Sequence, residues 1–132
     1  MNTFEADRWI RSSENDLAMA LTLREDHFYD GCAFHAQQAS EKALKGLLYA
    51  LDELPWGHSC FILMRQIAEL LSGVVTPELI EASHRIDEHY LPSRYPDALP
   101  EGISAELYDR DLADGAIEDA KMILQFVQEQ MK

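Results

Sequence analysis

Between His27 and Leu51, small and apolar residues recur every three or four positions: Tyr29, Cys32 or Ala33, Ala36, Ala39, Ala43, Leu47 and Ala50. That period matches the 3.6 residues of a helical turn, and it predicts a helix over about His27 to Leu51, with the Leu54-Pro55-Trp56-Gly57 turn as its breaker. Because four of the stripe residues are alanines, a neighbouring helix can come close, and this segment is expected to be the central helix of a bundle. The same period recurs elsewhere. Ala6, Ile10, Ser13, Leu17 and Leu21 predict a first helix over about Glu5 to Leu23, with Thr3 as its N-cap. Cys60, Leu63, Met64, Ile67, Leu70 and Leu71 mark a third helix, with Gly73 as its stop. Thr76-Pro77-Glu78 supplies a cap, a proline at the first helical position and an early acid for a fourth, whose face continues through Leu79, Ser83, Ile86 and Tyr90. Leu112, Ala116, Ala120, Ile123 and Val127 place a last helix over about Ala105 to Gln130. No run alternates with period two, so no sheet is expected. The chain is therefore expected to be one all-α domain over residues 1–132, an antiparallel up-and-down bundle of about five helices.

Charge sets limits on function. The formal net charge is −13, which repels phosphate at long range, disfavours indiscriminate nucleic-acid binding and favours a basic partner. From Asp97 onward nine acidic residues stand against Arg110, Lys121 and Lys132. The stretch from His35 to Tyr49 is the exception, with Lys42 and Lys45 against Glu41 alone. No apolar run reaches the ~18 residues of a membrane span, and the N-terminus lacks the apolar core of a signal peptide. A cytoplasmic location is expected, with Cys32 and Cys60 as buried thiols, a disulfide between them being the alternative.

Two groups of residues carry candidate chemistry. His35, Gln38, Lys42 and Lys45 are spaced by three, four and three, so they share a helix face beside the alanine stripe. They read either as a cradle for a phosphate or nucleotide edge, or as a solvated face whose lysines pair with nearby acids. The second group lies near the end of the fourth helix and in the loop after it. Arg85 and His89 are an i, i+4 pair, and Leu91 to Ile103 contains three prolines, which bar a helix and make a long irregular connection. In that connection Arg94 and Tyr95 are candidates for ligand contact or for anchoring the loop. Cys-x2-Cys and His-Glu-x2-His motifs, phosphate-binding loops and nucleophile elbows are absent from the sequence, and the single Glu81-x2-His84 pair falls short of the two that a di-iron bundle needs.

Three segments carry a family resemblance. His35-Ala36-Gln37-Gln38-Ala39-Ser40-Glu41-Lys42-Ala43-Leu44-Lys45-Gly46-Leu47-Leu48 resembles the "AHQAAEKALKALL" signature of HEPN domains, the higher eukaryotes and prokaryotes nucleotide-binding family. His58 before an amphipathic helix is similar to that family's "tHdL" helix start, and Tyr90-Leu91-Pro92-Ser93-Arg94-Tyr95-Pro96-Asp97 resembles its "RYPD" loop. The three lie in family order within about Asp16 to Val127. The resemblance implies a helical bundle, commonly a homodimer, that works as an RNase or as the partner of a small nucleotidyltransferase in toxin–antitoxin-like modules. It implies no cofactor. On it, His35, Gln38, Lys42, Lys45, Arg94 and Tyr95 become candidates for nucleotide or RNA contact, and Arg85 with His89 the candidate catalytic pair. The RNase members carry Arg-x4–6-His, whereas Arg85 and His89 are separated by three residues, with Asp87 and Glu88 between them. That departure favours a non-catalytic or weakly catalytic partner protein. The alternatives are a metal-independent RNase toxin of the same family and a structural adaptor; an ordinary surface pair of Arg85 with Glu81 or Glu88 would leave His89 incidental.

Overall fold

A computed structural model describes residues 3–90, 97 and 99–132. Within them the chain forms six helices: α1 (Thr3–Glu25), α2 (Tyr29–Ala50), α3 (Cys60–Leu70), α4 (Pro77–Asp87), α5 (Ser104–Leu107) and α6 (Arg110–Gln130). Helix α2 is the hub and packs against each of the other five. Its alanine stripe explains why. Ala33, Ala36, Ala39 and Ala43 are buried, and the Ser13 hydroxyl of α1 donates to the Ala39 carbonyl at 2.6 Å. Gly46 extends the close approach: a Cβ there would lie 2.8 Å from Ile10 Cδ1 and 3.3 Å from Trp9 Cβ. The core is filled by Leu44, Leu47 and Leu48 of α2, Leu63, Met64 and Ile67 of α3, Ile86 of α4, and Ile117, Ile123 and Val127 of α6.

Helix ends follow local chemistry where the sequence offers a cap. Ser59, Thr76 and Asp109 accept the backbone N–H of Ile62, Leu79 and Leu112, and Gly73 (φ 78°) follows the end of α3. Two stops are made by residues other than the expected breakers. His27, expected to begin the second helix, instead closes α1 in the left-handed region (φ 65°), where Phe28 N–H reaches back to the Leu23 carbonyl at 2.8 Å. Asp52 (φ 60°) closes α2 in the same way, with Glu53 N–H on the Leu48 carbonyl, before the proline turn is reached. Thr3 lies inside α1 rather than capping it.

The expected last helix is in fact two. Tyr108 takes an extended conformation (ψ 134°) between α5 and α6, its ring is buried, and Asp109 starts a new helix as N-cap. Period alone missed this, because burying the Tyr108 ring requires the backbone to turn there. Leu112, expected inward, is 40% exposed. Both cysteines are free and buried, and burial pushes the Cys32 thiol up to about 11 and Cys60 well above the usual thiol range. They are inert fillers near neutral pH. Among the described residues no helix is long and apolar enough to cross a membrane.

Candidate functional site

The polar face of α2 does not open freely to solvent, because buried carboxylates hold it. Asp16 of α1 is 3% exposed, and it binds two of the expected contacts: His35 Nδ1 lies 2.9 Å from Oδ1 and Lys42 Nζ 2.6 Å from Oδ2. One turn further on, Lys45 Nζ sits 2.8 Å from Glu41 Oε2 and 2.8 Å from His58 Nδ1, with the Trp9 ring centroid 5.3 Å away. Both Lys45 and Glu41 are buried. Trp9 in turn stacks on Tyr49 at 5.7 Å. Gln38 points elsewhere, donating to Gln37 Oε1 at 2.7 Å. The lysines do pair with acids, yet as a buried seam rather than a solvated surface. A buried charge is tolerable only when paired, so this seam locks the register of α1 on α2.

Lys42 keeps 27% of its side chain exposed and borders a shallow hollow of about 300 Å³ with Arg8, Trp9 and Ser12 of α1. His35 borders a separate hollow with Ala18 and Met19. The four α2 candidates are thus distributed among different surroundings.

The second candidate pair does share a groove. Arg85 and His89 line a hollow of about 400 Å³ between α4 and α6, together with Glu88, Asp111, Glu118 and Asp119. Arg85 is not paired with Glu81 or Glu88 as a surface reading suggests. Its guanidinium makes a two-pronged contact with Asp119, Nε to Oδ2 at 3.2 Å and Nη2 to Oδ1 at 2.9 Å. These hydrogen bonds raise the Arg85 pKa above its already high value. His89 Nδ1 lies 2.9 Å from the Tyr108 hydroxyl, and burial lowers the histidine pKa, which favours the neutral ring. Burial also pushes the Tyr108 phenol up to about 12, so it remains protonated and shares a hydrogen bond with His89 whose direction is set by the imidazole tautomer. Four carboxylates around one occupied guanidinium oppose the approach of a phosphate. Gly115 lines the same groove with open space where a Cβ would stand.

Arg94 and Tyr95 lie outside the described residues. Sequence reasoning missed Asp16, His58, Trp9, Tyr108 and Asp119 as partners. Of these, His58 stood out as part of the helix-start motif and Asp16 as an acid one turn from Ser13 on the buried side of α1. Asp87 serves the fold instead. It accepts from Ser59 Oγ and from the backbone N–H of Cys60 and Phe61, tying α4 to the start of α3. Among the described residues no group of three His, Cys, Asp or Glu side chains converges to hold a metal ion.

This architecture is shared. The HEPN domain family model matches residues 6–130, and the chain belongs to the HEPN family. Its structure is similar to the crystal structure of a Thermus thermophilus protein (40% identity, TM-score 0.88, covering 98% of both chains). It is also similar to that of an archaeal HEPN homologue (34% identity, TM-score 0.82, covering 97% of this chain and 98% of that one). A Methanocaldococcus jannaschii protein named as a putative toxin is 25% identical over 134 residues, covering 96% of this chain and 88% of its own length.

Proposed function

We propose that this chain is the HEPN component of a toxin–antitoxin-like module, a homodimer that acts by engaging a small nucleotidyltransferase. The observation that carries this reading is the state of Arg85. In an RNase of this family the arginine would hold the scissile phosphate, whereas here Asp119 occupies it from two sides within a ring of carboxylates. Partner binding needs no free guanidinium, and a net charge of −13 steers a basic partner. Where a nucleotide or RNA contact forms on α2, Lys42 is the best-placed group, partly exposed beside Arg8, Ser12, the Trp9 ring and Glu5, although Asp16 pairs with it and Glu5 with Arg8. His35, Gln38 and Lys45 would act through the seam that positions it.

The test is co-expression with a small nucleotidyltransferase encoded in the neighbouring reading frame. A stable complex that survives gel filtration is expected. If the purified protein neither holds such a partner nor binds nucleotide, the reading fails.

A second reading, a metal-independent RNase toxin, draws on the shared groove of Arg85 and His89 and on the relative named as a toxin. It requires Asp119 to release Arg85 and the neutral His89 to accept a proton. Growth arrest on expression, relieved by Arg85→Ala, His89→Ala or Arg94→Ala, would favour it. Harmless expression without RNA cleavage would remove it.

A further inference from the structure

Two buried carboxylates each hold a lysine and a histidine, and the two clusters differ in one detail. At Asp16 the nitrogens use separate oxygens, with His35 Nδ1 2.9 Å from Oδ1 and Lys42 Nζ 2.6 Å from Oδ2. At Glu41 they crowd onto one. Lys45 Nζ lies 2.8 Å from Oε2 and His58 Nδ1 3.3 Å from the same atom, while the two nitrogens stand 2.8 Å apart. The other oxygen, Oε1, accepts from Gln37 Nε2 at 3.3 Å. An ammonium has donors only. The Lys45–His58 contact is therefore a hydrogen bond only while Nδ1 keeps its lone pair and the ring proton sits on Nε2.

Burial decides which partner yields when that lone pair is protonated. The side chains of Lys45 and Glu41 are each 8% exposed, against 78% for His58. Lys45 cannot part from Glu41 without stranding a buried charge, whereas the imidazole can turn into water at little cost. The neighbouring elements offer the protonated ring no replacement. From α1 comes the uncharged Trp9, whose ring centroid is 5.3 Å from Lys45 Nζ. From α3 comes Cys60, whose thiol burial keeps neutral. The Asp87 carboxylate of α4 is taken by Ser59 Oγ and by the backbone N–H of Cys60 and Phe61.

We infer that His58 is a pH-sensitive cover on the buried Lys45–Glu41 pair, closed while its Nδ1 accepts from Lys45 and swung into solvent once Nδ1 is protonated. Opening takes up one proton from water and breaks one hydrogen bond, after which water reaches Lys45. The Asp16 cluster is the built-in contrast. A proton on His35 Nδ1 points at a carboxylate oxygen that Lys42 does not use, so that cluster stays closed. The inference depends on neither the partner reading nor the RNase reading.

Nitrogen-15 NMR of the lysine ammonium groups and histidine rings, from about pH 8 to about pH 5, reads the cover directly across the range in which histidine changes charge. At the alkaline end His58 should show the Nε2–H tautomer, and Lys45 Nζ a slowly exchanging signal. That signal should be lost to exchange with water as His58 takes up its proton, against the slowing that acid imposes on a free ammonium. His58→Asn puts a neutral amide oxygen in reach of Lys45 and should keep the signal throughout, while His58→Ala should lack it at every pH. The exposed position makes both variants compatible with the wild-type fold, and helical circular dichroism should stay constant across the step. A Lys45 signal that persists in the wild type at the acid end, or is absent at the alkaline end, would overturn the inference. So would an Nδ1–H tautomer, a loss in His58→Asn at the same pH, or a coincident loss of helix.

Discussion

The α1–α2 seam and the α4–α6 groove each join a cation to a carboxylate across two helices, and they differ in how closely the backbones approach. In the seam, Gly46 lets Trp9 and Ile10 press against α2, so Asp16 and Glu41 are shut away from water and must be paired. In the groove, Gly115 faces open space and Arg85 remains 53% exposed. Similar chemistry therefore has opposite consequences. Pairs buried on both sides dictate register because losing one partner strands a charge, while a pair whose cation is half in water, as Arg85 on the buried Asp119, constrains the helices less.

Asp16→Ala should reveal the largest difference. It strands Lys42 and leaves His35 Nδ1 without its partner, and a loss of about 3 kcal/mol in urea unfolding is expected. A loss below about 1 kcal/mol would mean that the seam is no more constraining than a surface pair. Gly46→Ala probes the close approach itself. Its methyl group must displace Ile10 and crowd Trp9 Cβ, and after the helix-propensity gain of alanine the net cost should be about 1 kcal/mol. Gly115→Ala should act in the opposite sense, raising stability by about 0.8 kcal/mol because nothing opposes the new methyl group. If the two glycine variants change stability alike, the contrast between seam and groove is broken. Arg85→Ala removes a half-exposed cation from the buried Asp119 and should cost about 1 kcal/mol, less than Asp16→Ala because water still reaches the groove.

The smallest effect is one of pH. The pKa of His89 is lowered in the folded protein, so the unfolded chain binds its proton first as pH falls. The stability contribution is fully present above the ordinary value of 6.5 and is lost as pH drops from there toward the depressed folded value. When urea midpoints at about pH 7.5 and about pH 5.5 are compared, the wild type should lose more than His89→Gln. An equal loss would place the titration elsewhere.

Periodicity made the helices legible because burial forces apolar residues onto one face, and the cap residues Ser59, Thr76 and Asp109 act over three residues of chain. Stops made by His27 and Asp52 were harder to see, since a left-handed residue other than glycine carries only a weak local signal. The candidate site was legible only by halves. His35, Lys42, Lys45, Arg85 and His89 stood out by type and spacing. Partners such as Asp16, Asp119 and Tyr108 lie 19 to 34 residues away along the chain, where no local pattern reaches.

Taken alone, the sequence determined an acidic helical bundle, its central helix and its place in the HEPN family. Those properties depend on composition, local period and contiguous motifs. Tertiary structure alone decided that Asp16 holds His35 and Lys42 and that Asp119 holds Arg85. It also decided that Tyr108 breaks the last helix. Each of these depends on which side chains meet across helices and on how much water remains between them.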